Sequence, residues 1–209
     1  MLDNDDSVYS IYWTDIEKGG PVVPKLVDSQ AEDIFVIRKG VAILYKNGEL
    51  KLPRSIIVDS KSMPADIKWS AIEGASNRWI VAGNNKGHSI LTTLSTKGLV
   101  QSSLMIKLTH NGYWPKEYAT LKHLKVAVER KHNSLILAFG TDGCCHLISM
   151  RRSGQLILVQ SIASILDTNV NYDYDDANKT TFSVTDTGVE GRFIVAGYKQ
   201  MNMISLKFK

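Results

Sequence analysis

The sequence predicts an all-β fold built from repeated antiparallel sheets, and three observations carry that prediction. A short pattern returns: Arg78 to Gly83 (RWIVAG) leads into His88 to Leu94, Ser134 to Gly140 (SLILAFG) into His146 to Met150, and Arg192 to Gly197 (RFIVAG) into Met201 to Leu206. Counted from the first large apolar residue, Trp79 to Leu135 is 56 residues and Leu135 to Phe193 is 58, a period of the size that marks repeat architectures. The apolar runs are short and rich in β-branched and aromatic side chains, which suit a pleated, half-buried surface. Gly and Asn punctuate almost every boundary, and period 3.6 is not sustained over three turns anywhere; only Ser161 to Leu166 reads as a helical turn.

Taken in order, Val8 to Trp13 is a strand, and Gly19, Gly20, Pro21 and Pro24 then break the chain. Asp33 to Ile37 and Val41 to Tyr45 are two further strands, and Asn47-Gly48 is the pair favoured in a two-residue hairpin turn whose central positions both need positive φ. Leu50 to Val58 follows as one strand carrying Pro53, which suits an outer position. The next unit reads as strands at 67–72, 78–83, 88–94 and 99–108, with turns at Gly74 with Asn77, at 84–87 and at 96–98. The third has 124–128, 135–139, 145–150 and 155–162, and the last has three runs, 181–184, 193–196 and 202–208.

Four-stranded units of this length, with the ending "apolar-Ile-Val-Ala-Gly" on the second strand and a Gly turn between third and fourth, resemble the blades of the WD40-like β-propeller superfamily. The repeats are degenerate: no third strand ends in Trp-Asp, and Gly87-His88 precedes a third strand instead of lying in a connecting loop. The resemblance implies about four blades over one propeller or half-propeller domain, at 8–60, 66–108, 121–165 and 178–209, the last incomplete. Val8 to Trp13 serves as the first strand of the first blade. The chain is then the C-terminal half of a seven- or eight-bladed propeller, the alternative being a small ring closed by the N-terminal strand. Ala82, Ala138 and Ala196 are matching small residues that let neighbouring blades approach.

With 209 residues, 44% hydrophobic, the chain can bury a substantial core, and 25 basic against 21 acidic residues is too even a balance to imply nucleic acid by itself. The first residues are acidic and polar, unlike a signal peptide, and no apolar run reaches the ~18 residues of a membrane span. An intracellular protein, nuclear or cytoplasmic, is expected. Cys144 and Cys145, the two cysteines, are adjacent and read as reduced thiols in a strand.

No catalytic motif, cofactor site or metal site is expected. The five histidines form no His-x-x-x-His pair, there is no phosphate loop or nucleophile elbow, and the acidic run 173–176 lacks the Gly and Glu of a calcium loop. Function is therefore sought in loops. Tyr113, Trp114 and Tyr118 in one long connection, and Tyr172, Asp173, Tyr174, Asp175 and Asp176 in another, are candidate partner-binding residues, because Tyr and Trp bury much area at modest entropic cost. Lys122, Lys125, Arg130 and Lys131, with Arg151 and Arg152 nearby, are a candidate phosphate-facing stripe. The leading expectation is a non-catalytic protein-interaction scaffold in a larger assembly, with protein partners that include the segment or chain completing the propeller. The alternatives are a propeller subunit that contacts nucleic acid in a chromatin, transcription or RNA-processing machine, and an enzyme with a site no motif reveals.

Overall fold

The computed structural model describes residues 1–11, 13–19, 22–37, 40–59, 63, 68–85, 88–108, 120–141, 144–162, 182–197 and 200–206. The chain divides into two compact units, Met1–Ser62 and Met63–Lys209.

In the first unit, β1 (Val8–Ser10) and β2 (Lys25–Asp28) form a two-stranded antiparallel sheet, with a single helical turn, α1 (Trp13–Glu17), between them. The four strands β3 (Ala31–Ile37), β4 (Gly40–Tyr45), β5 (Glu49–Leu52) and β6 (Ile56–Asp59) make a separate sheet in sequence order. This corrects the expected strand 8–13 in two ways. It stops at Ser10, and it pairs with β2 rather than supplying the first strand of the sheet at 31–59. Its apolar residue still finds a core: Val8 packs with Ala31 and Ile43.

Two turns also differ from expectation. Among residues 45–48 only Gly48 has positive φ (84°), the Gly48 N–H donates to the Tyr45 carbonyl at 2.9 Å, and the Glu49 N–H is held by Asn47 Oδ1 at 3.0 Å. The hairpin thus turns over three residues with a single left-handed glycine, not over two left-handed residues. The expected strand 50–58 is two strands, because Arg54 and Ser55 both take positive φ (68° and 58°) just after Pro53 and reverse the chain.

The second unit holds β7 (Lys68–Ala75), β8 (Arg78–Asn85), β9 (His88–Ser95) and β10 (Val100–Ile106) in one antiparallel sheet. The next is β11 (Leu121–Glu129), β12 (Asn133–Gly140), β13 (Cys145–Arg151) and β14 (Leu156–Ile162), and the last is β15 (Phe182–Asp186), β16 (Arg192–Gly197) and β17 (Gln200–Ser205). β7 runs through Gly74, so the turn is Ser76-Asn77 alone, Ser76 having φ of 52°. Ser161 and Ile162 end β14, so the helical turn expected from Ser161 does not begin there; the rest of that segment, 163–166, lies outside the described residues.

Side-chain alternation along each strand sends residues i and i+2 to one face, and two apolar layers result. Ile80, Ala82 and Leu91 from the first sheet meet Ile136, Ala138, Ile148 and Met150 from the second. The opposite face of the second sheet, with Leu137, Phe139 and Cys145, meets Val184, Phe193 and Val195 from the third. These faces correct the alignment of the repeats. Ala82 and Ala138 point toward each other across one layer, so they are not equivalent positions, whereas Ala196 lies on the half-buried face of its sheet away from that packing. Trp79, Ile136 and Phe193 are the matching residues, and Gly83, Gly140 and Gly197 recur at an even 57-residue spacing.

A bulge recurs near the start of three first strands. Glu32, Ser70 and Lys122 are the extra residues, each lying between two partners that face consecutive residues of the second strand. Both cysteines are free and buried, and burial, with the neighbouring Cys144 thiol adding to it, pushes the Cys145 thiol up to about 12.

Candidate functional site

In an antiparallel meander the turns joining first to second and third to fourth strands lie at the same end of the sheet. Two adjacent sheets therefore bring four turns together. In the second unit these are 76–77, 96–99, 130–132 and 152–155, and they surround a half-open cleft of about 570 Å³.

The cleft walls are tied across the two sheets. The buried Thr93 hydroxyl donates to the Gly154 carbonyl at 2.7 Å, Ser76 Oγ lies 3.2 Å from Ser134 Oγ, and the Ser76 N–H donates to the Glu129 carboxylate. The hairpin at 151–154 closes through the Gly154 N–H to the Arg151 carbonyl at 2.8 Å, with Gly154 at φ of 93°. A Cβ at Gly154 would stand 2.8 Å from Arg78 Nε, so glycine is what lets this turn lie against the arginine.

Arg78, Arg130, Lys131, Arg151 and Arg152 line the cleft, with Ser95, Thr96, Asn77 and Gln101. Two of the guanidinium groups are oriented by neutral amides: Arg78 Nε donates to Gln101 Oε1 at 2.6 Å and Arg151 Nη1 to Gln155 Oε1 at 3.1 Å. No carboxylate is among the described lining residues, and the Glu129 carboxylate is tied to the cleft wall through the Ser76 N–H.

Of the expected basic stripe, Arg130 and Lys131 lie here together with Arg151 and Arg152. Lys122 and Lys125 do not. Lys122 is the bulged residue at the far end of β11, and Lys125 faces Leu137 in mid-strand. Arg78 was missed, because in the sequence it is only the polar residue in front of an apolar strand. Tyr113, Trp114, Tyr118, Tyr172, Asp173, Tyr174, Asp175 and Asp176 lie outside the described residues. Among the described residues no group of three or more His, Cys, Asp or Glu is placed to hold a metal ion, and no helix is long and apolar enough to cross a membrane.

A second feature is the outer side of β15–β17. Among the described residues β17 has one strand neighbour, β16. The Leu206 N–H donates to the Gly191 carbonyl at 2.9 Å. Counting back in twos along the ladder turns the amides of Ile204 and Asn202 toward β16, and those of Met201, Met203 and Ser205 outward. The side chains of Met201 and Met203, 74% and 67% exposed, lie beside Ala196 and Ile194 on one face.

No family model and no curated protein matches the chain. Solved structures do. The WD40 domain of SCAP from fission yeast is 13% identical, with 85% of this chain and 45% of that one covered and a TM-score of 0.49. KlAtg21, solved in complex with the coiled-coil of AgAtg16, is 9% identical over 90% of this chain and 57% of that one, with a TM-score of 0.52. The Nup133 β-propeller domain of Vanderwaltozyma polyspora is 14% identical over 89% of this chain and 64% of that one, with a TM-score of 0.38. The chain spans about half the length of the first two. At such identities likeness speaks to fold alone, and of these three it is carried by the KlAtg21 superposition. Consecutive meanders of four antiparallel strands, a strand pattern recurring at 57 residues and that superposition together make this the fold of a WD40-like β-propeller.

Proposed function

We propose that the chain is a non-catalytic interaction module, a propeller part-subunit of a larger protein assembly. The observation that carries the reading is the outer side of the β15–β17 sheet. Its inner face, Val184, Phe193 and Val195, is buried against the preceding sheet, while its outer face offers Ile194, Ala196, Met201 and Met203 beside a row of β17 amides with no strand partner among the described residues. An edge strand next to an apolar face is a template for another strand and another sheet. Burying the exposed part of both methionines contributes roughly 2–4 kcal/mol. The occupant is a further antiparallel sheet of the same kind, from another segment or another chain. KlAtg21 shares the fold and was solved with a coiled-coil bound, which supports a protein partner. The connections carrying Trp114 and Tyr174 are a second set of proposed contacts.

A photo-crosslinking amino acid at position 203, introduced in cells, tests this. One protein should be captured in high yield, and Met201→Asp with Met203→Asp should abolish its co-purification while the chain keeps its circular dichroism spectrum. If position 203 captures nothing, and the purified chain alone is monomeric, protease-resistant and melts in one cooperative step, the reading fails.

A further inference from the structure

We propose that the cleft between the β7–β10 and β11–β14 sheets binds a compact anion carrying two or more phosphate groups. This stands apart from the β17 surface, since none of the residues involved lies on that sheet.

The argument begins with charge. Five cations, Arg78, Arg130, Lys131, Arg151 and Arg152, line one concavity, and the Glu129 carboxylate beside it is engaged with the Ser76 N–H. Leaving Arg130 and Glu129 out of the count, Arg78, Lys131, Arg151 and Arg152 supply a surplus of about four positive charges. Gathering like charges in a cleft opposes folding unless something offsets it, and a cleft of one sign concentrates counter-ions. Among the described residues, no ion pair takes up Arg78, Lys131, Arg151 or Arg152.

Orientation is the second point. Gln101 and Gln155 hold two guanidinium groups through neutral amides, which fixes their direction and leaves their charge in place. Arg78 is further fixed by the close approach of Gly154. Guanidinium groups held this way suit the forked, two-oxygen contact that phosphate offers.

Size and the rest of the lining narrow the class. About 570 Å³ is the volume of a small-ligand site. The remaining described lining supplies hydroxyl and amide donors; it holds no Phe, Tyr or Trp, its single ring is the small, exposed imidazole of His132, and its one large apolar side chain, Met150, is buried. That disfavours a nucleotide or a single strand of nucleic acid, which relies on stacking. A phosphate monoester carries roughly −1.5 to −2, so two match the surplus and one does not. The shared chemistry is a polyphosphorylated, non-aromatic group, whether free in solution or as the headgroup of a lipid.

Isothermal titration calorimetry on the full chain, at constant ionic strength, tests the assignment with tripolyphosphate and inorganic phosphate as probes. Tripolyphosphate should bind at least tenfold more tightly than phosphate. The exposed pair Lys131→Gln and Arg152→Gln should weaken it by about tenfold or more per cation removed, with the melting temperature of the free protein not lowered, since like-charge repulsion is relieved. Lys122→Gln with Lys125→Gln should leave binding as it was. Inositol hexakisphosphate, and phosphatidylcholine vesicles with or without phosphatidylinositol bisphosphate, distinguish the soluble from the lipid-borne source. The assignment is overturned if tripolyphosphate does not bind, if both double variants weaken it equally, or if a DNA duplex or a poly-glutamate peptide occupies the cleft more tightly than tripolyphosphate does.

Discussion

Replacing Gly154 by alanine should cost far more than its small size suggests, and the structure says how much more. Two effects add. At φ of 93° a side chain meets the backbone strain of the left-handed region, about 1–2 kcal/mol, partly offset by about 0.4–1 kcal/mol of lost unfolded-state freedom. Besides this, the new Cβ would lie 2.8 Å from Arg78 Nε and 3.0 Å from Gln101 Oε1, so Arg78 must leave its hydrogen bond to Gln101. That exposed bond contributes roughly 1 kcal/mol. The total is about 2 kcal/mol, or a fall of about 4–8 °C in Tm for a unit of this size. Gly188 is the control: its φ is 78° and nothing lies within 4 Å of its would-be Cβ, so Gly188→Ala should cost about 1 kcal/mol or less. Urea and thermal denaturation followed by circular dichroism give both values. In an Arg78→Ala background the extra cost at 154 should vanish, a coupling of about 1 kcal/mol. Equal losses at 154 and 188, or no coupling to Arg78, would refute the account of how this wall of the cleft is built.

Two further outcomes follow from ionisation. The Cys145 thiol is pushed up to about 12 in the folded chain, so the unfolded chain ionises first. The stability this gives is whole below an ordinary thiol value near 9 and is lost toward pH 12, at about 1.4 kcal/mol per unit. Cys145→Ala should flatten that fall, and rapid reaction of both thiols with Ellman's reagent in the native state would contradict their burial. In the first unit, partial burial pushes the Asp28 carboxyl up. Hydrogen bonds from Lys51 (2.6 Å), Tyr45 (2.8 Å) and the Ser29 N–H outweigh it, leaving the carboxyl below its usual range. Its contribution is present above pH 3.8 and lost as pH falls through the lowered folded value. Asp28→Asn should remove about 1 kcal/mol and speed hydrogen exchange at Val8–Ser10; unchanged exchange there would show that the β1–β2 sheet is anchored by other contacts.

The class and most of the strands were legible in the sequence because each run carries its own signal, β-branched residues between Gly and Asn stops; the reversal at Arg54 and Ser55 inside 50–58 carries no such stop. The pairing of β1 was not. Its partner Lys25–Asp28 follows a Gly-Gly-Pro break and holds only two apolar residues, Leu26 and Val27, adjacent and so on opposite faces, which is too short a run to mark a strand. Spacing counted from Leu135 missed the register by one residue, since a one-residue slip exchanges the two faces of a strand and only packing tells Leu135 from Ile136. Four of the five cations of the cleft were legible as adjacent pairs, Arg130-Lys131 and Arg151-Arg152. The cleft was not, because it needs four turns spread over 76 residues of chain, from Ser76 to Arg152, at one end of two sheets. The rule that alternate turns of a meander share an end would have joined those two pairs and added Arg78.

The bulges at Glu32, Ser70 and Lys122 bear on how such a chain tolerates change in length. Losing a residue from the middle of a strand inverts every side chain beyond it, apolar for polar. Losing the spare residue of a bulge restores plain pairing and leaves both faces as they were. Each sheet with a bulged first strand therefore carries, close to the point where the chain enters it, one position at which a codon can be lost without turning the sheet inside out.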